Sequence, residues 1–101
     1  MSYRIDRVNE IIRDELSLAI MREVKDPRVQ DSVVGITRVN TTPDMKYSKV
    51  YVSIYGDDDK RSTVMEGLEK AKGFLRKKIA DALTTRYTPE LIFVLDDSID
   101  N

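Results

Sequence analysis

The chain contains no cysteine and no histidine. The first absence excludes disulfides and thiolate nucleophiles. The second removes imidazole bases and with them the Ser-His-Asp triad. Together they take away the ligands of ordinary zinc sites. Catalysis by this chain would have to rely on carboxylates, lysine, tyrosine or a hard cation. No run of ~18 apolar residues occurs, so no membrane-spanning helix is expected. The first residues are polar and charged (Ser2, Arg4, Asp6, Arg7), unlike the apolar stretch of a secretory leader. A cytoplasmic protein is expected. Internal repeats, low-complexity tracts and interdomain linkers are also missing, and 101 residues suit one domain.

What is present is a modest core under a heavily charged surface: 41% of residues are hydrophobic and 35% charged. The net charge of −1 argues weakly against nucleic acid, but it averages over a separation of sign. Between Lys60 and Arg86 eight basic residues face three acidic ones, a net of +5. Acids collect at Asp57, Asp58 and Asp59, and again at Glu90, Asp96, Asp97 and Asp100. Either the basic stretch is a solvated face, or it forms a positive surface for phosphate while the acids stay in solvent.

Residues 4–24 carry apolar side chains at Ile5, Val8, Ile12, Leu16, Ala19 and Ile20, the stripe of an amphipathic helix. Asp26-Pro27 ends it, because proline disfavours a helical residue before it and lacks an N–H. Residues 33–41 are rich in β-branched side chains, and Thr42-Pro43-Asp44 supplies a turn. Residues 47–55 alternate, with Val50, Val52 and Ile54 on one face and Lys49, Tyr51, Ser53 and Tyr55 on the other. That period of two predicts a half-buried strand pairing with the first as a hairpin. Thr63 followed by Glu66 has the form of a capping box. From Val64, helical spacing runs through Leu68, Ala71, Leu75, Ile79 and Leu83. Gly73 interrupts it at a cost of roughly 1 kcal/mol relative to alanine. Either another backbone packs close at Gly73, or the helix breaks there, and the break is favoured. Residues 91–95 form a short apolar run suited to a strand buried in the sheet. The order α-β-β-α-α-β predicts an α+β fold: a three-stranded sheet with helices packed on one face.

Collinear segments resemble a known family. Lys25-Asp26-Pro27-Arg28, Ile36-Thr37-Arg38-Val39, Lys49-Val50-Tyr51-Val52-Ser53 and Ala71-Lys72-Gly73-Phe74-Leu75-Arg76 are similar to ribosome-binding factor A. So are Arg86-Tyr87-Thr88-Pro89-Glu90-Leu91 and Phe93-Val94-Leu95-Asp96-Asp97-Ser98. The resemblance spans nearly the whole chain. It implies a type II KH-like RNA-binding domain over residues 1–101, short of the C-terminal extension many members carry. It also implies a non-enzymatic assembly factor without a cofactor. Such a factor binds free 30S subunits and 16S rRNA during late maturation and rRNA processing, and serves cold adaptation. In this family the Gly-x-x-Gly loop of KH domains is replaced by an Ala-x-Gly helix kink, here Ala71-Lys72-Gly73. The protein is expected to act as a monomer.

A helical wheel puts Lys70 and Lys77 opposite the apolar stripe, Lys72 and Arg76 on one flank and Lys78 on the other. A kink at Gly73 would present backbone N–H groups beside Lys72 and Arg76, at a helix start that favours anions. Gly73, Lys70, Lys72, Arg76, Lys77 and Lys78 are therefore the candidate RNA contacts. Arg28 joins them, with a carboxylate inside the fold as the equal alternative. Arg7 is a weaker candidate, since its helix is charge-balanced. Tyr51 and Tyr55 are read as core or rim rather than as base-stacking platforms. The Asp57–Asp59 run is read as a solvated turn and Asp96-Asp97 as structural, not as a Mg²⁺ site or an acid–base pair. Two rivals stand beside RNA binding: a protein–protein adaptor using the charged helix faces, and a Mg²⁺-dependent hydrolase.

Overall fold

The computed structural model describes residues 3–96. Helix α1 (Tyr3–Arg22) buries Val8, Ile12, Leu16, Ala19 and Ile20 along the stripe expected from the spacing. Asp26-Pro27 does more than end this helix, because it also starts another. In α2 (Pro27–Gln30), proline occupies the first turn, where its missing N–H is harmless, and an Asp26 carboxylate oxygen accepts from the Arg28 N–H at 2.9 Å. The two-residue signal was read as a stop alone, since four residues are too few for a periodic pattern.

Strands β1 (Val34–Thr41) and β2 (Tyr47–Ile54) pair antiparallel, with Val39 opposite Val50 and Thr41 opposite Ser48. Their turn is held by side chains: Thr42 donates to Asp44 at 2.6 Å, and Asp44 accepts from the Lys46 N–H at 3.0 Å. A bulge between Ile36 and Arg38 leaves Thr37 as the extra residue, and its hydroxyl donates to Asp96 at 2.6 Å. Strand β3 (Glu90–Leu95) adds parallel to β2, giving the order β1-β2-β3. Strand β3 is therefore an edge, not a strand buried on both faces. Leu91 and Phe93 point into the core, while Ile92 is exposed.

The second helical stretch divides into α3 (Asp58–Lys70) and α4 (Lys72–Ala82). Two expectations change here. The N-cap of α3 is Asp57, which accepts from the Lys60 N–H at 2.9 Å; Thr63 lies inside the helix and donates to the Asp59 carbonyl. The acidic run is thus the cap and first turn of a helix, where carboxylates favour the positive dipole end, and not a solvated turn. The expected break is present: it falls at Ala71 (φ −85°, ψ 0°), the first residue of the Ala71-Lys72-Gly73 segment. The glycine that another element does approach is Gly67, where an added Cβ would meet Val29 of α2 at 2.8 Å.

Helix α1 lies over β1 and against α4, and α3 packs on β2, β3 and α2. The helices thus cover one face of the sheet, as expected. Their shared core includes Val39, Val50, Val52, Leu68, Leu75 and Ile79. Thr41 and Ser48 are buried hydroxyls 2.7 Å apart that satisfy each other, and Asn9 of α1 accepts from the Thr41 N–H at 3.0 Å. Among the described residues no helix is long and apolar enough to cross a membrane.

Tyr51 and Tyr55 are not core. They project from the uncovered side, Tyr51 half-buried beneath the Arg38 guanidinium at 4.2 Å and Tyr55 exposed.

Candidate nucleic-acid interface

The candidate cations separate once their partners are seen. Arg28 serves the fold: it grips Asp26 through two hydrogen bonds of 2.9 and 2.6 Å, with Glu66 at 3.8 Å. The bonded guanidinium, aided by the Arg28 backbone N–H, holds the Asp26 carboxyl at about 2, well below the ordinary 3.8. The same bonds raise the Arg28 pKa. Lys78 pairs with Glu23 at 2.5 Å, fastening α4 to the end of α1, and this partner raises its pKa. Lys72 pairs with Glu69 at 2.9 Å across the helix break. Arg7 pairs with Glu10 at 3.0 Å on an exposed turn of α1, toward the opposite end of that helix from Glu23.

Arg76 is held by the loop that follows its helix. Its guanidinium donates to the carbonyls of Thr88 at 2.8 Å and Pro89 at 3.2 Å. These bonds fix the 83–89 loop along α4, and a hydroxyl bond from Thr85 to the Tyr87 carbonyl at 2.9 Å stiffens the loop tip. Between helix and loop lies a groove of about 420 Å³ lined by Gly73, Arg76, Lys77 and Ala80 on one side and Arg86, Tyr87 and Thr88 on the other.

Lys77 and Lys70 are exposed, and neither forms an ion pair among the described residues. Of the two, Lys77 lines the groove. Lys70 lies nearer α2, where its charge helps to lower the Asp26 carboxyl. Gly73 opens directly on the groove, and nothing stands within 4 Å of where its Cβ would be. The structure thus brings Gly73, Arg76 and Lys77 together. Lys70 and Lys72 sit beside the break, and Arg7, Arg28 and Lys78 are elsewhere.

The groove's remaining cation and its aromatic ring, Arg86 and Tyr87, were not among the sequence candidates. The Arg86 guanidinium lies 5.7 Å from the Tyr87 ring centre, and Tyr87 is 64% exposed. The signal was an adjacent cation and aromatic before a proline. Only the tertiary position of the loop gives that pair a meaning. The described residues hold no cluster of three or more side chains suited to a metal ion.

Comparison with known proteins places this architecture. The family model of ribosome-binding factor A matches residues 4–101. Ribosome-binding factor A of Moorella thermoacetica is 47% identical over 97% of this chain and 80% of its own length. That of Caldanaerobacter subterraneus is 45% identical over 99% and 81%. Among solved structures, a Thermotoga maritima protein assigned to ribosome-binding factor A superposes with a TM-score of 0.82 at 33% identity, covering 100% of this chain and 94% of its own. The Thermus thermophilus factor shares the fold at 20% identity, with a TM-score of 0.77 over 92% of this chain and 97% of its own. A homology model of the Thermus thermophilus factor, fitted into a cryo-electron microscopy map of a 30S complex, gives 0.65 at 18% identity over 94% and 93%. On the family match and these identities, the chain belongs to the ribosome-binding factor A family.

Proposed function

We propose that this protein is a non-enzymatic assembly factor. It binds the free 30S subunit through 16S rRNA during late maturation and rRNA processing. In this reading residues 1–101 act as one KH-like RNA-binding domain, monomeric and cytoplasmic, with a role in cold adaptation. The observation that carries the RNA contact is the groove face of α4, where Lys77 and Arg86 stand without carboxylate partners among the described residues. Cations already paired inside a fold give less to a phosphate, because the ion pair must first be exchanged. Lys70 and Lys72 flank this face at the helix break. There Ala71, the cap residue of α4, offers no side-chain acceptor to the first N–H groups. The family name and the 30S complex of a fold relative support the choice of partner.

Co-sedimentation with purified 30S, 50S and 70S particles at low salt tests the reading. Pelleting is expected with 30S particles in preference to the others. Equal pelleting with all three, or none, would sink the proposal. Charge reversal at Lys77 and Arg86 is the cleaner site test, since reversing Arg76 would also release the loop. Unchanged binding by that double variant would remove the groove from the interface.

A further inference from the structure

The groove carries more than positive charge. A surface built only for duplex backbone needs cations, whereas this one sets an exposed aromatic ring between two hollows. One is the groove over Gly73, and the other, about 570 Å³, is lined by Lys46, Tyr47, Arg76, Tyr87 and Glu90 among others. Nothing in the core requires the Tyr87 ring to be there, since it is 64% exposed. The backbone that carries it is nevertheless held, because Arg76 clamps the next two carbonyls and Thr85 bonds the Tyr87 carbonyl.

Gly73 points the same way. Its backbone is not in the left-handed region and its Cβ site is empty, so neither conformation nor packing within the fold calls for glycine. A side chain at that position would project into the groove opposite Tyr87. The chain forgoes helix propensity in α4 while keeping the groove floor open.

Resting on the RNA-binding reading above, we propose that this groove holds one unpaired nucleotide of RNA. The base stacks on the Tyr87 ring, the sugar–phosphate passes over Gly73, and the adjoining phosphates meet Lys77 and Arg86. Stacking on an aromatic ring needs a base freed from its helix, so the site selects single-stranded or bulged RNA over a continuous duplex. No hydrogen-bonding edge is prescribed, and the preference is for strandedness more than for sequence.

The test measures fluorescence anisotropy of a labelled, unstructured oligoribonucleotide, alone and annealed to its complement, beside 30S co-sedimentation. Wild type should bind the single strand more tightly than the duplex. Tyr87→Phe should keep that affinity and Tyr87→Ala lose it by about tenfold or more. Gly73→Leu should weaken single-strand binding while urea unfolding shows the fold intact. The proposal is overturned if Tyr87→Ala or Gly73→Leu binds the single strand within about twofold of wild type. It is also overturned if the duplex competes equally, or if wild type pellets with 30S but binds no free RNA. The two readings fail separately. Loss of 30S binding in Lys77→Glu but not in Tyr87→Ala rejects the stacked nucleotide and keeps the charged face. Single-strand selection without any 30S preference rejects the ribosomal partner and keeps the groove.

Discussion

Gly67 and Gly73 lie six positions apart in sequence and have opposite roles. At Gly67 the Val29 side chain sits where a Cβ would be, 2.8 Å away, and a buried β-branched neighbour has few rotamers with which to yield. Gly67→Ala should therefore destabilise the protein by about 1–3 kcal/mol through overpacking. Gly73→Ala meets open space in a helix and should stabilise by up to about 1 kcal/mol. Urea unfolding of the two variants would show midpoints moving in opposite directions, and equal shifts would contradict the assignment. Asp26 gives a second expectation at this scale. Its carboxyl is held at about 2 against 3.8 unfolded, so the Arg28 bonds contribute fully above pH 3.8. That contribution is lost as pH falls from 3.8 toward 2. Asp26→Asn should lower the melting temperature at neutral pH, and the gap to wild type should close across this acid window.

The helix break shows how packing partners decide what periodicity cannot. Val64, Leu68, Leu75 and Ile79 keep a spacing that one continuous helix could satisfy. They face different neighbours, however: α3 packs on α2 and the strands, and α4 packs on α1. One straight axis does not serve both contacts, and the chain turns at Ala71. The glycine marked the region, but the position followed the neighbours. Downstream, the 83–89 loop has no regular structure of its own to position it. It relies on Arg76, so Arg76→Met should leave the Thr88 and Pro89 carbonyls without that donor. Charge-assisted bonds of this kind are worth about 1.5–3 kcal/mol each. Amide exchange in the loop should quicken by roughly tenfold or more while that of β2 is unchanged, and equal protection would show that the clamp is dispensable.

For the whole molecule the separation of charge matters more than the total of −1. Acids cap α3 or pair with Arg28, Lys72 and Lys78, and around α4 and its loop Lys70, Lys77 and Arg86 have no carboxylate partner among the described residues. If these three neutralise phosphates on the 30S particle, log affinity should fall with log salt at a slope of about −2 to −3. Reversing Lys77 and Arg86 should flatten that slope; a steep slope kept by the double variant would place the contacts elsewhere. The helix stripes, the hairpin and the element order were legible in the sequence, because burial on one face imposes a local period on a helix or strand. The family was legible from collinear segments. Which cations are occupied was not, because Glu23, Asp26 and Glu69 become partners only after the elements pack or the chain turns. Tyr51 and β3 were misplaced for a related reason: strand periodicity distinguishes two faces without saying which face the helices cover or which strand lies at the edge. Sequence thus determined every element but α2, the fold class and the family, all of which rest on short-range pattern. Tertiary structure decided the groove, since a ring, two cations and an open glycine from separate segments meet only when α4 and the loop are joined by Arg76.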